Sequence, residues 1–416
     1  MKSIKKHVLI IIAILCIPLI GTVYLIQQSS SEVAEVSEDE NNLDDSNQII
    51  NQQQNTQHSV LGTQNKSNWP MFRGSQGLLG VAEVNLPDSL EFLWKFKTQA
   101  AVKSSPVIYE GKVFVGSNDD NLYAIDLKTG QQIWKYQTDD SVEATPCVIN
   151  NTVYVGSLGG FLYAIDADTG QFKWKYETDG QILGGANWTY SPDKTKIWIL
   201  VGSYDFILYC IDSQTGKARW TYESDNYING SPAVEGNYTV FGGCDERIHV
   251  VSLADGELSS QIDDVSYIAA SPAILDGQVY VGNYDNVFIK ADIASNTILW
   301  EYTESEDAFM SSPAIKDDFI VIGSRDEHVH CINRNDGKKI WTFRTLGSVD
   351  SSPVICGNKV IVGSDDGKIY MINLADGTEI WSYETGRSIA SSPAVIEAMV
   401  VIGCDDGNVY AFGTKQ

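Results

Sequence analysis

Apolar and polar positions alternate over short runs in residues 104–134, SSPVIYEGKVFVGSNDDNLYAIDLKTGQQIW. Successive strand residues point to opposite faces, so alternation over four to six residues signals a half-buried strand. The pattern predicts four strands, at Val107–Tyr109, 112–116, 122–126 and Gln132–Gln137. Glu110-Gly111 and Asp119-Asp120-Asn121 between them suit tight hairpins. Lys128-Thr129-Gly130 suits a three-residue loop with glycine in the left-handed conformation. That last turn recurs with Gly170, Gly216, Gly337 and Gly377, and once with Asn296 in the glycine place. Asn is the next best residue there.

The pattern is periodic. A glycine closes the second strand at 116, 156, 202, 242, 282, 323, 363 and 403, spaced by 40 or 41 residues with one gap of 46. A proline precedes the first strand at 106, 146, 232, 272, 313, 353 and 393, with Ala186 in the third place. An indole sits in the fourth strand at Trp134, Trp174, Trp220, Trp300, Trp341 and Trp381, with Ser260 in the fourth copy. The eighth copy ends before its tryptophan, yet Trp94 lies 40 residues ahead of Trp134. Glu91–Lys97 therefore reads as a fourth strand without its first three, and 391–412 as three strands without a fourth. The two fragments complete one another. The fold class is all-β: an eight-bladed β-propeller of four-stranded antiparallel blades, closed by the N-terminal strand around Trp94. The tryptophans and the turn glycines are read as structural residues. Six extra residues in the third copy, within 190–196, lengthen its first hairpin. The fourth copy, with Ser260, is expected to have the least well packed outer strand.

The N-terminus differs from the repeats. Lys2, Lys5 and Lys6 precede residues 8–26, nineteen without a charge, which is enough to span a bilayer. Residues 1–28 are read as an anchor with its basic flank in the cytoplasm and all that follows exported. A cleaved signal peptide ending near Ser29 or Ser31 stays open, and Leu15 argues against lipidation at Cys16. Residues 29–68 are acidic and then rich in Gln and Asn, so they predict a flexible tether. Residues 69–416 form the propeller.

Net charge is -25, from 54 acidic and 29 basic residues, which repels phosphate and excludes nucleic acid as a partner. Besides Cys16, the cysteines are Cys147, Cys210, Cys244, Cys331, Cys356 and Cys404. With no CxxC or adjacent pair among them, they are read as buried free thiols. There is no P-loop, GxSxG or HExxH motif. His328-Val329-His330 puts two imidazoles on one strand face, without a third ligand for a metal. The pairs Asp119-Asp120, Asp365-Asp366 and Asp405-Asp406 fall in hairpin turns. No catalytic, cofactor-binding or metal residue is assigned, and the chain is read as a non-enzyme.

The run Ala124-Ile125-Asp126-Leu127-Lys128-Thr129-Gly130 with Trp134 resembles the tryptophan-docking repeat of the quinoprotein-type propellers. That family includes pyrroloquinoline-quinone (PQQ) dehydrogenases and BamB-like outer-membrane assembly proteins. Trp69-Pro70-Met71-Phe72-Arg73-Gly74 resembles the WPxFRG opening of the BamB-like members. The resemblance implies that each tryptophan packs between neighbouring blades. It also implies a monomeric, membrane-tethered scaffold that binds proteins of the cell envelope, in envelope or outer-membrane protein assembly, with no cofactor. Two alternatives stand beside it. One is a PQQ-dependent oxidoreductase or PQQ sensor, with calcium in the central funnel. The dehydrogenases are larger, however, and carry a vicinal disulfide that this chain lacks. The other is a cell-surface ligand- or glycan-binding domain using Trp188, Tyr190, Tyr204 and Tyr284.

Overall fold

The computed structural model describes residues 66–263 and 265–414. The expected anchor, and the tether up to residue 65, lie outside them. Among the described residues no helix is long and apolar enough to cross a membrane.

Eight antiparallel sheets follow one another around the chain. Blades 1–7 span residues 107–137, 147–177, 187–223, 233–262, 273–302, 314–344 and 354–384. Blade 8 takes Ala394–Ile396, Met399–Cys404 and Asn408–Gly413, and its outer strand is Glu91–Lys97. That strand pairs antiparallel with the last one, Glu91 opposite Gly413, Trp94 opposite Ala411 and Lys97 opposite Asn408. The expected closure is therefore present, and it leaves no unpaired C-terminal sheet edge. The longer hairpin of blade 3 lies between Asn187–Tyr190 and Ile197–Gly202, as its spacing predicts.

Burial follows blade position. The second strands are nearly continuous buried runs, because neighbouring blades cover both faces. The outer strand Gln132–Gln137 alternates instead, with Trp134 turned inward. The glycine that ends each second strand is required by the next blade. A Cβ on Gly116 would stand 2.3 Å from Val142, and one on Gly156 2.1 Å from Ile182. At the closure, a Cβ on Gly403 would stand 2.6 Å from Val102. The sequence signal for this glycine marks a close approach of two blades, not a turn.

A belt of serines runs from blade 4 around to blade 1. The Ser231 N–H donates to Ser271 Oγ, Ser271 to Ser312, Ser312 to Ser352, Ser352 to Ser392 and Ser392 to Ser105, all at 2.7–3.1 Å. The belt crosses the junction of blades 8 and 1. Gly185 stands in the belt position of blade 3, where a Cβ would lie 3.1 Å from that of Thr145.

Residues 66–86 are not a preface to the fold. They cross its centre and meet the inner strand of each blade in turn. The Ile108 N–H donates to Trp69 O, Val148 to Pro70 O, Val234 to Gln76 O, Ile274 to Gly77 O, Ile315 to Leu79 O and Ile355 to Gly80 O. In blade 3 the Asn187 side chain reaches Gln76 O at 2.8 Å. Val81–Ala82 then adds in parallel to Val354–Cys356, and the Ala398 N–H donates to Asn85 O in blade 8. Each inner strand would otherwise present unpaired N–H groups to the axis, which is costly away from water.

Arg73 fixes this segment. It is 2% exposed, adopts φ 61°, and donates to Pro313 O, Ser352 O and Pro353 O at 2.8, 3.0 and 2.5 Å. Burial disfavours its charged form and lowers its pKa, and the three carbonyls offset that cost. Gly80 is required beside it, since a Cβ there would overlap the guanidinium at 1.8 Å. Ordered contacts start ahead of the expected boundary at residue 69. Lys66 O accepts from the Glu397 N–H and Asn68 Oδ1 from the Glu110 N–H.

Candidate functional site

The outer wall carries the predicted tryptophans, each docked on the next blade. Indole Nε1 donates to a turn carbonyl: Trp94 to Leu127, Trp134 to Ala167, Trp174 to Ser213, Trp220 to Leu253, Trp300 to Arg334 and Trp341 to Leu374, at 2.8–3.3 Å. Each ring lies on a turn glycine, respectively Gly130, Gly170, Gly216, Gly256, Gly337 and Gly377. A Cβ at any of them would come within 3 Å of the ring. Gly256 escaped the sequence reading, although Ala254-Asp255-Gly256 carries its signal. Among the described residues no turn glycine lies beneath Trp381. It packs edge-on against Phe412 at 5.5 Å instead. These residues hold blades together, and Trp174 also borders a recess with Tyr154, Lys173 and Ser213.

A second column escaped the sequence reading. Tyrosine hydroxyls donate to the Asp of the preceding turn: Tyr123 to Asp119, Tyr209 to Asp205, Tyr370 to Asp366 and Tyr410 to Asp406, at 2.6–2.8 Å. The Asp pairs therefore act beyond their turns. Their signal is a tyrosine four residues after an Asp. In blades 4 and 6 histidine takes the tyrosine place. His249 Nε2 lies 2.7 Å from Asp245 and its Nδ1 3.0 Å from the Tyr222 hydroxyl. His330 Nε2 lies 3.0 Å from Asp326 and its Nδ1 2.9 Å from the Tyr302 hydroxyl. An Nε2–H donated to the carboxylate leaves Nδ1 to accept from tyrosine, so both nitrogens are committed. His328 turns its Nδ1 to Asp326 O at 2.8 Å. The two imidazoles of His328-Val329-His330 are thus engaged separately, with ring centres 6.0 Å apart, and offer no shared metal site.

The six cysteines of the propeller are free. Burial pushes the thiol of Cys147 up to about 12 and that of Cys404 up to about 11, so neither is a ready nucleophile at neutral pH.

The two ends of the ring differ. Residues 66–86 and the first hairpins of the blades occupy one end, where Lys66 enters. Beside them a cavity of about 250 Å³ is lined by Gln76, Tyr190, Lys194, Glu235 and Asn237. The opposite end, beyond the serine belt, is the candidate site. Just past the second strand, a backbone N–H meets the linker that leads into its own blade there. The Asn118 N–H donates to Ala101 O, Tyr204 to Gln181 O, Tyr284 to Tyr267 O, Arg325 to Ala308 O and Asp405 to Ser388 O.

One half of this mouth is aromatic. Tyr204 stacks on Tyr227 at 4.7 Å, and Phe206 meets Tyr227 edge-on at 5.2 Å. Tyr227, Tyr267 and Tyr284 are each more than 40% exposed. The other half is charged. Lys103 pairs with Glu143 at 3.2 Å, and Arg325 grips Asp350 with two bonds of 3.0 and 2.8 Å. Among the described residues Asp365 and Asp405 form no ion pair; Ser388 donates to Asp365, and Arg387 lines the same recess. Burial, and then the repulsion of Asp365 and Glu143 against the pull of Lys103, raises the Asp405 pKa. The four aromatics singled out in the sequence do not form one surface. Tyr204 and Tyr284 belong to the mouth, whereas Trp188 and Tyr190 lie at the plugged end, packed edge-on at 5.4 Å.

The residues of the mouth do not fit PQQ with calcium. The quinone carries three carboxylates, and here they would meet Glu143, Asp350, Asp365 and Asp405, with Lys103 and Arg325 already paired and Arg387 alone beside the last two acids. Among the described residues no three His, Cys, Asp or Glu side chains are placed to hold a metal. The geometry supplies recognition by rings and carboxylates, and no nucleophile–base pair.

Two family models match the chain. One, described as the β-propeller of the beta-alanine-activating enzyme, covers residues 188–416. The other, described as outer membrane protein assembly factor BamB, covers residues 87–182. No curated protein matches. Among solved structures, BamB from Moraxella catarrhalis is 19% identical with a TM-score of 0.65, over 78% of this chain and 100% of that one. Quinohemoprotein alcohol dehydrogenase from Comamonas testosteroni is 13% identical with a TM-score of 0.72, over 86% and 82%. A europium-containing methanol dehydrogenase is 12% identical with a TM-score of 0.72, over 86% and 100%. At these identities the structures share the fold with this chain. The first model spans more than half of the sequence, and the chain belongs to that β-propeller family, as a PQQ-like propeller of the BamB-like kind.

Proposed function

We propose that this protein is a non-enzymatic scaffold of the cell envelope, which binds a partner protein through the open mouth of its propeller. The observation that carries this reading is the mouth itself: exposed tyrosines face unpaired carboxylates, with no reacting constellation between them. The BamB-like family supports a role in assembling envelope or outer-membrane proteins. The outer wall supports such a role less well. Its exposed apolar residues, such as Ile133, Phe172, Leu299 and Ile340, stand singly on different blades.

The N-terminal sequence supports export and tethering through residues 8–26. Cross-linking in native membranes, followed by purification of the full chain, tests the reading. One specific protein partner is expected. Recovery of none, or dye reduction by the purified chain given PQQ and calcium, would contradict it.

A further inference from the structure

We infer that the mouth receives a lysine-bearing segment of the partner, its aliphatic stems on the tyrosines and its ammonium groups on Asp365 and Asp405. The inference rests on the scaffold reading and names the chemistry of the docking surface. Three buried acceptor oxygens at this end have no hydrogen-bond partner: Asn118 Oδ1, Asn229 Oδ1 and Asp405 Oδ1. Asn118 and Asn229 already donate through Nδ2, to Glu143 at 2.6 Å and to Cys244 at 3.0 Å. Lys103 and Arg325 are spent on Glu143 and Asp350, and Arg387 alone stands with Asp365, Asp366, Asp405 and Asp406, so this side of the mouth keeps surplus negative charge and rejects an anion. A neutral saccharide stacks on tyrosine, yet adds no cation to the four carboxylates that Arg387 shares. A lysine side chain satisfies each requirement, because its stem covers an aromatic face while its ammonium stays with carboxylates. The aromatic rings come from blades 3–5 and the carboxylates from blades 7 and 8, on different sides of the axis. An extended segment with several side chains suits that span better than one small amine.

The test uses the full chain and three probes: a capped fluorescent hexalysine, a capped hexaglutamate and cellohexaose. Hexalysine is expected to bind with one-to-one saturation. Asp365→Asn with Asp405→Asn should weaken it roughly tenfold, and Tyr204→Ala with Tyr227→Ala should also weaken it. Glu83→Gln with Asp88→Asn removes the same charge elsewhere, and should change little. Thermal melts matched to the parent show that the variants fold. Equal losses from the two charge-removing pairs would mean diffuse attraction to an acidic protein and overturn the inference. Binding of cellohexaose in place of hexalysine would overturn it too. A native partner that cross-links equally well to the Asp365→Asn, Asp405→Asn chain would sink this inference and leave the scaffold standing. Failure of the parent chain to capture any partner would sink the scaffold, while the peptide titration still decides the chemistry of the mouth.

Discussion

Ser260 and Asn296 are a matched pair at the junction of blades 4 and 5. Elsewhere an indole lies on the glycine of the next turn; here Ser260 Oγ reaches Ile293 O at 3.4 Å, and Asn296 occupies the turn at φ 55°. A Cβ beneath a docked indole would approach it within 3 Å, so tryptophan and a β-carbon exclude one another at this contact. The outer strand of blade 4 thus lacks the docking contact that six other junctions have.

That exclusion is open to a double-mutant cycle. Ser260→Trp alone should gain nothing or destabilise, because the indole meets Asn296. Asn296→Gly alone should change little, because glycine takes φ 55° without strain while the unfolded chain gains freedom. Together they should raise stability by about 1–2 kcal/mol, from buried aromatic surface and one hydrogen bond. Additive effects in chemical denaturation would show that the two positions are uncoupled.

Arg73 tests the plug. Arg73→Ala leaves the carbonyls of Pro313, Ser352 and Pro353 without their donor and opens a cavity on the axis. A loss of about 3 kcal/mol is expected. Hydrogen exchange should rise at Ile274, Ile315 and Ile355, whose N–H groups bond to residues 77–80. An unfolding midpoint unchanged from the parent would show that the segment merely lies in the ring.

Acid stability should report on Asp326. Burial opposes its ionisation, but the bond from His330 and further donors from Glu306 and Ser305 outweigh it and hold the carboxyl down to about 2. A folded pKa below the unfolded value of about 4 gives stability that is present above pH 4 and is lost as pH falls toward 2. Asp326→Asn should flatten that part of the pH profile, by about 2 kcal/mol at most. The same slope in parent and variant would assign the acid loss to other carboxylates.

Closure was legible in the sequence because it is periodic. The stray Trp94 and the missing tryptophan of the eighth copy are one fact seen from both ends of the chain. The plug was not legible, since residues 66–86 have no counterpart in the repeats and their bonds go from backbone to backbone. WPMFRG could be matched to a family opening, yet nothing in its spacing says that Arg73 reaches blades 6 and 7. The mouth was hidden for a related reason. Its residues come one or two per blade, so Tyr204 and Tyr284 look no different in sequence from Trp188 and Tyr190, which lie at the other end.

Deleting Glu91–Lys97 should abolish cooperative unfolding, because blade 8 loses its outer strand and Gly130 loses the indole that lies on it. A truncated chain that melts like the parent would refute closure by this strand.

The scaffold account meets its most direct test in photo-cross-linking within cells. A benzophenone side chain is placed in turn at position 284 in the mouth and at position 190 at the plugged end. The account predicts a discrete protein adduct from 284 and none from 190. Adducts from 190 alone, or no protein adduct from either position, would contradict it.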